Sequence, residues 1–193
     1  MKNVSENKKY LAILESAREL FWKYGFKRVS IEEICTKANA SKMTFYKYFP
    51  NKIELAKAIF NNVVENGEKK FRGIIESNDT AAGKTQKILL LKLESTNDIS
   101  PEFLQDFYTG TVPELKEYVA QRTFEAWQIL KTDYKKAQEK GVIRKDLNIE
   151  LLLKVQNKLV ELLDDESLVG LFPSRQDLIM EFANLMVYGM MPH

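Results

Sequence analysis

A chain of 193 residues, 45% hydrophobic and 29% charged, has an ordinary globular balance and enough length for one or two packed domains. It has no apolar run of about 18 residues, no apolar segment in the N-terminal MKNVSENKK and a single cysteine, so a membrane span, a secretory signal and an intramolecular disulfide are not expected and a cytoplasmic setting is. The net charge of +2 is unevenly spread: residues 1–60 hold twelve Lys or Arg against six Asp or Glu, the remainder seventeen against twenty-one, which suits a basic nucleic-acid-binding head on an acidic body.

Few glycines and prolines and little strand-like alternation predict an all-α protein of about nine helices. Residues 1–8 read as a frayed tail whose Lys2 and Lys8, with Lys9, could brush a phosphate backbone. Tyr10, Ile13, Leu14, Ala17, Leu20, Phe21 and Tyr24 recur at helical spacing and predict a first helix that stops at Gly25; Trp22 lies off this stripe. Arg28, in the connection that follows, is a candidate phosphate contact. Ser30 and Glu33 form a capping box for a short helix with Ile31, Ile34, Cys35 and Ala38 on one face. The pattern breaks at Asn39-Ala40-Ser41, where Asn tolerates the left-handed conformation of a sharp exit. Ser41 caps a helix over Lys42–Tyr48, with Phe45 and Phe49 on its buried side, and Pro50 closes it. Two short helices about a tight turn make a helix-turn-helix, whose second helix enters the major groove of DNA.

A long fourth helix runs from Lys52, capped by Asn51 and Glu54, to about Ser77, with Gly67 marking a bend or a close contact. A fifth spans about Ala81 to Ser95, after a cap at Asp79 or Thr80, and Asn97-Asp98-Ile99 is a loop. Ser100-Pro101 opens a short sixth helix that ends at Gly110. Thr111 and Glu114 read as a capping box for a seventh helix reaching Lys140 and Gly141. The last two helices are expected over Ile149–Leu163 and, with a Ser174–Asp177 capping box, over Arg175–Met190; both are apolar over more than one face.

Enzyme chemistry finds little footing. His193 is the lone histidine, Cys35 lies on a buried helical face, and neither a glycine-rich phosphate loop nor a His/Cys metal spacing is present, so no catalysis, cofactor or metal is expected. The acidic run Asp164-Asp165-Glu166 is better read as solvated than as a cation site.

From Ile13 to Phe60 the chain resembles the TetR family of bacterial transcriptional repressors. Ser30, Ile34, Ala38, Ser41, Thr44, Phe45, Tyr46, Tyr48, Phe49, Lys52 and Leu55 match its helix-turn-helix pattern, while Cys35 replaces the usual Ala and Asn39-Ala40 the usual Gly-Val. The resemblance implies a DNA-binding domain over residues 1–52 and a helical ligand-binding and dimerisation domain over 53–193. Ser41, Tyr46, Tyr48 and Lys52 are expected mainly at phosphates, Lys42, Met43, Thr44 and Lys47 at base edges, with Ser30 also in the DNA-binding set. Phe103, Phe107, Tyr108, Tyr118, Phe124 and Trp127 are candidates to line an effector cavity, with plain core packing as the other reading. Leu152, Val155, Leu159, Leu178, Phe182, Leu185 and Met186 are the expected dimer contacts, with an intramolecular core as the alternative. The implied partners are a double-stranded palindromic operator, a small-molecule effector and a second copy of the chain, with no membrane. Two other readings stay open: a constitutive DNA-binding protein without a ligand, and a helical ligand-binding or enzymatic protein with a vestigial DNA-binding module.

Overall fold

The computed structural model describes residues 4–96, 100–109 and 111–192. Over these residues the regular structure is helical throughout. The α-helices are α1 (Val4–Tyr24), α2 (Ile31–Lys37), α3 (Lys42–Tyr48), α4 (Lys52–Glu76), α5 (Ala81–Thr96), α6 (Pro101–Leu104), α7 (Pro113–Glu139), α8 (Ile149–Glu161), α9 (Glu166–Val169) and α10 (Arg175–Met190). A π-turn over Gln105–Thr109 extends α6, and a 3-10 turn over Leu162–Asp164 extends α8.

Where these elements depart from the sequence reading, side-chain chemistry gives the reason. The helical count among the described residues is ten and not nine, because Asp165 accepts the backbone N–H groups of Ser167 and Leu168 and so caps an extra turn, α9, within the acidic run. α1 already begins at Val4, inside the segment read as a tail. The Thr111–Glu114 capping box is not made. The Thr111 hydroxyl donates to the Asp106 carboxylate at 2.8 Å, and the Glu114 carboxylate accepts from Lys57 at 2.7 Å. Gly67 has open space where a Cβ would stand, so no close contact requires it. The expected loop at 97–99 and helix end at Gly110 lie outside the described residues.

The chain divides into two compact units, Met1–Val64 with Asp98–Thr123 and Glu65–Asn97 with Phe124–His193; α4 and α7 each contribute to both. The first unit is larger than residues 1–52. Its core joins Ile13, Ala17 and Phe21 of α1 and Ile34 and Phe45 of the helix-turn-helix to Leu55, Ile59 and Phe60 of α4. It also takes in Phe103, Leu104 and Phe107 from α6 and its π-turn, and Leu115 and Val119 from α7. Trp22, off the main stripe of α1, finds its place here, 4.3 Å from the Phe103 ring, which in turn stacks on Phe107 at 4.5 Å. Phe26 meets Phe107 edge-on at 6.3 Å. Aromatic pairs in such arrangements add roughly 0.5–1.5 kcal/mol beyond the area they bury.

The second unit is centred on Phe71 and Ile75 of α4, Tyr134 and Ala137 of α7, Leu152 and Leu153 of α8, and Val187 and Met190 of α10. Gly141, at φ +68, ends α7, and the turn after it is held by polar bonds. Gln138 donates to the carbonyls of Arg144 and Leu147, and Arg144 donates from its backbone to Met190 and from its side chain to Gly189. The buried Asp133 is satisfied by a two-pronged contact from Arg72, at 3.0 and 3.2 Å.

Candidate nucleic-acid interface

Local chemistry fixes the helix-turn-helix. The Ser30 hydroxyl accepts the backbone N–H of Glu33, and the Glu33 carboxylate accepts the Ser30 N–H at 2.7 Å, completing the capping box at the start of α2. These bonds hold the Glu33 carboxyl below its ordinary pKa, the Ser30 backbone first and its hydroxyl second. Two residues past the end of α2, Asn39 has a φ of +48, the left-handed exit that asparagine tolerates, and the Lys9 ammonium donates to its carbonyl at 2.5 Å. Ser41 then caps α3 by accepting the Thr44 N–H at 3.1 Å.

α3 has two faces. Phe45 is fully enclosed and Phe49, just past the helix, is 4% exposed; Tyr10 of α1 stacks on Phe49 at 5.2 Å and meets Tyr48 edge-on at 5.7 Å. On the other face Met43 is 84% and Tyr46 54% exposed, and Lys42 and Lys47 are exposed beside them. An apolar back anchored in a core and a front of two cations, a thioether and a phenol can face both phosphates and base edges.

This architecture agrees with the relatives of the chain. A family described as "Bacterial regulatory proteins, tetR family" matches residues 13–59. The HTH-type transcriptional regulator YdgC of Bacillus subtilis (strain 168) is 26% identical over 189 residues, covering 93% of this chain and 91% of its own. Residues 13–59 are a TetR-type DNA-binding module, and the chain as a whole is similar to TetR-family transcriptional regulators. Solved structures of similar fold span nearly its whole length. The fatty acid degradation regulator FadR from Bacillus halodurans matches with a TM-score of 0.69 at 16% identity, over 98% of this chain and 97% of that one. A TetR-family regulator from Cytophaga hutchinsonii matches with 0.68 at 16% identity over the full length of both. A regulator from Saccharomonospora viridis in complex with choline matches with 0.67 at 18% identity, over 94% and 96%.

Not all the residues expected at DNA stand in the same position in this chain. Lys42, Met43, Tyr46 and Lys47 share the exposed front of α3. Ser41 is exposed but engaged as the cap of α3, its hydroxyl also 2.9 Å from that of the half-buried Thr44. Ser30 is engaged as the cap of α2, and Tyr48 is half-buried against Tyr10. Arg28, exposed, lays its guanidinium 4.9 Å from the Tyr24 ring centroid. Lys52 points inward: its ammonium donates to the carbonyls of Phe26 at 2.8 Å and Val29 at 2.7 Å.

Lys42 has a partner that no sequence spacing signals. Glu32 of α2 forms an ion pair with it, and the mutual hydrogen bond lowers the Glu32 pKa and raises that of Lys42. No helical spacing links positions 32 and 42; the turn at Asn39 brings them together. The Cys35 thiol is buried, and burial raises its pKa. Among the described residues no cluster of three His, Cys, Asp or Glu could hold a metal, and no helix is long and apolar enough to cross a membrane.

The six candidate effector residues belong to two different units. Phe103 and Phe107 are sealed in the core of the first unit, where Tyr118 packs partly and Tyr108 stands at 36% exposure. Phe124 and Trp127 belong to the second unit; Trp127 packs partly on its core, while Phe124 is 58% exposed. In that unit an open groove of about 310 Å³ lies between α4 and α5, over Gly73, Ile74, Leu90 and Leu91. The seven expected dimer residues divide likewise. Leu152 and Leu178 are buried within the chain, Leu159, Phe182 and Met186 are half-buried, and Val155 and Leu185 are exposed at 38% and 63%. Leu151, Leu162 and Tyr188, absent from the expected set, are also exposed, at 60%, 39% and 59%.

Proposed function

We propose that this regulator is a cytoplasmic repressor that binds a palindromic operator as a homodimer and is released by a small apolar effector. The observation that carries the DNA-binding part is the two-faced α3, anchored by Phe45 and Phe49 and presenting Lys42, Met43, Tyr46 and Lys47. Lys42 and Lys47 are the candidates for guanine edges, and Met43 for a thymine methyl; the Tyr46 hydroxyl suits a phosphate. Residues 1–52 serve as the reading head and 53–193 as the body that senses and dimerises. A two-fold dimer reads half-sites one helical turn, about 34–36 Å, or a multiple of that apart.

Dimerisation finds support in the exposed apolar strips of α8 and α10, with Leu151 and Val155 on one and Leu185 and Tyr188 on the other. Large apolar side chains left exposed at helical spacing on each of these helices suit an interaction site. An effector finds support in the structural neighbours, one a fatty acid degradation regulator and one holding choline. The proposed site is in the second unit, with Phe124 and Trp127 on its wall. The effector acts only through its difference in affinity between the DNA-binding and the released conformations, and by linkage DNA weakens effector binding by the same factor.

The deciding experiment selects DNA from a random pool with the purified protein and titrates salt against the winning sequence. A palindrome whose binding falls steeply with salt is the expected result. A featureless pool from folded, dimeric protein would defeat the reading. The burial of Phe103 and Phe107 in their own core favours a second reading, a constitutive repressor with no effector. Calorimetric titration of fatty acids and quaternary amines with and without operator separates the two: binding that operator weakens supports release, and no binding supports the constitutive form.

A further inference from the structure

Lys52 opens α4, a poor place for a cation, because the first turn of a helix carries partial positive charge. Its ammonium is instead spent on the loop between α1 and α2. It donates to the carbonyl oxygens of Phe26 at 2.8 Å and Val29 at 2.7 Å and lies 3.4 Å from that of Lys27, so its three donors face three carbonyls. It also sits 4.3 Å from the centroid of the Phe26 ring. Burial lowers its pKa. On its other side the same loop is held by the buried Asp106 of the π-turn, whose carboxylate accepts the Lys27 N–H at 2.9 Å. The loop ends at the buried Val29, and the next residue, Ser30, is the cap of α2.

We propose that Lys52 is a positioning residue for DNA reading: it fixes the loop that launches α2, and through α2 the register of α3, and makes no phosphate contact of its own. The proposal rests on the DNA-binding reading above. An ammonium already shared among three carbonyls gains nothing by turning to a phosphate, since leaving would strand half-buried acceptors. Arginine cannot take its place, because a planar fork does not converge on three oxygens around one point.

Two measurements test it. In the first, binding of wild type, Lys52→Met and Lys52→Arg to the selected operator and to random duplex is followed across a salt series. A positioning role predicts an unchanged slope of log K against log[salt] in both variants, with the ratio of specific to non-specific affinity down about tenfold, the scale of one lost base contact. A phosphate contact predicts in Lys52→Met a slope shallower by about 0.9 and equal losses on both duplexes, which would overturn the proposal. A merely structural lysine would lower the melting temperature and leave the ratio untouched, which would overturn it too. The second measurement needs no variant. Lysine-selective acetylation of the wild type is read by mass spectrometry with and without operator. Lys52 is expected to be protected already in the free protein and unchanged on binding; reactivity lost only on DNA would overturn the proposal. A wild type that selects no DNA would instead remove the underlying reading, an outcome visible before any variant is made.

Discussion

Gly25 and Gly67 both sit where a helical pattern meets a glycine, and they have opposite consequences. Gly25 has φ +78, and a Cβ there would stand 2.8 Å from Glu102 Cβ and 2.9 Å from an Asp106 carboxylate oxygen. Gly25→Ala therefore combines a left-handed alanine with a clash, and a loss of about 1–3 kcal/mol in denaturant unfolding is expected. Gly67, inside α4, meets nothing within 4 Å, and Gly67→Ala is expected to stabilise by about 0.5–1 kcal/mol. A Gly25→Ala protein of wild-type stability would mean that α1 ends differently. Gly25 was legible in the sequence as a stop signal. The reason that it tolerates no side chain was not, because Glu102 and Asp106 lie some eighty residues along the chain. The same holds for Lys52: its place in a DNA-binding motif was readable, and the direction of its side chain depended on three carbonyls that no spacing announces.

Short helices depend on their ends, and here the ends carry the reading head. α2 and α3 are seven residues each, too short to persist without caps and packing. Glu33 makes the cap of α2 sensitive to acid. Its folded pKa lies below the ordinary 4.5, so its stabilisation is complete above that value and is lost as pH falls through the lower folded one. The stability gap between wild type and Glu33→Gln is thus expected to be constant near neutrality and to shrink below about pH 4.5, in urea titrations at stepped pH. A gap that widens with acid would reverse the sign of the argument. The caps Ser30, Ser41, Ser100 and Ser174 were all legible, since each satisfies the N–H three residues on. The box expected at Thr111 and Glu114 failed because both side chains have better partners at a distance, Asp106 and Lys57. Beside these caps, Glu32 faces Lys42 across the turn. Replacing it with Gln frees a cation and removes a carboxylate beside the proposed DNA-reading face. A gain of up to about tenfold in duplex affinity at low salt, fading at high salt, is expected by fluorescence anisotropy.

For the whole molecule the open matter is which apolar surface is spent inside one chain and which is left for a second. Periodicity marked α8 and α10 as apolar around more than one face but could not apportion the faces, because burial within a chain and burial between chains impose the same residue types. The fold accounts for the burial within the chain: Leu152 and Leu178 fill the interior, whereas Leu151 at 60%, Val155 at 38%, Leu185 at 63% and Tyr188 at 59% remain exposed. If those strips join two copies, charges placed on them should split the dimer without unfolding the chain. Leu151→Glu with Leu185→Glu is expected to sediment as a monomer with native helical circular dichroism. Its affinity for a full palindrome should fall to that for a half-site, since the second head is no longer tethered. Leu152→Glu, by contrast, buries an unpaired charge and should fail to fold. A double variant that remains dimeric in analytical ultracentrifugation would place the interface elsewhere. One that becomes monomeric yet keeps full operator affinity would mean that a single head suffices, and the palindrome would then have no role in recognition.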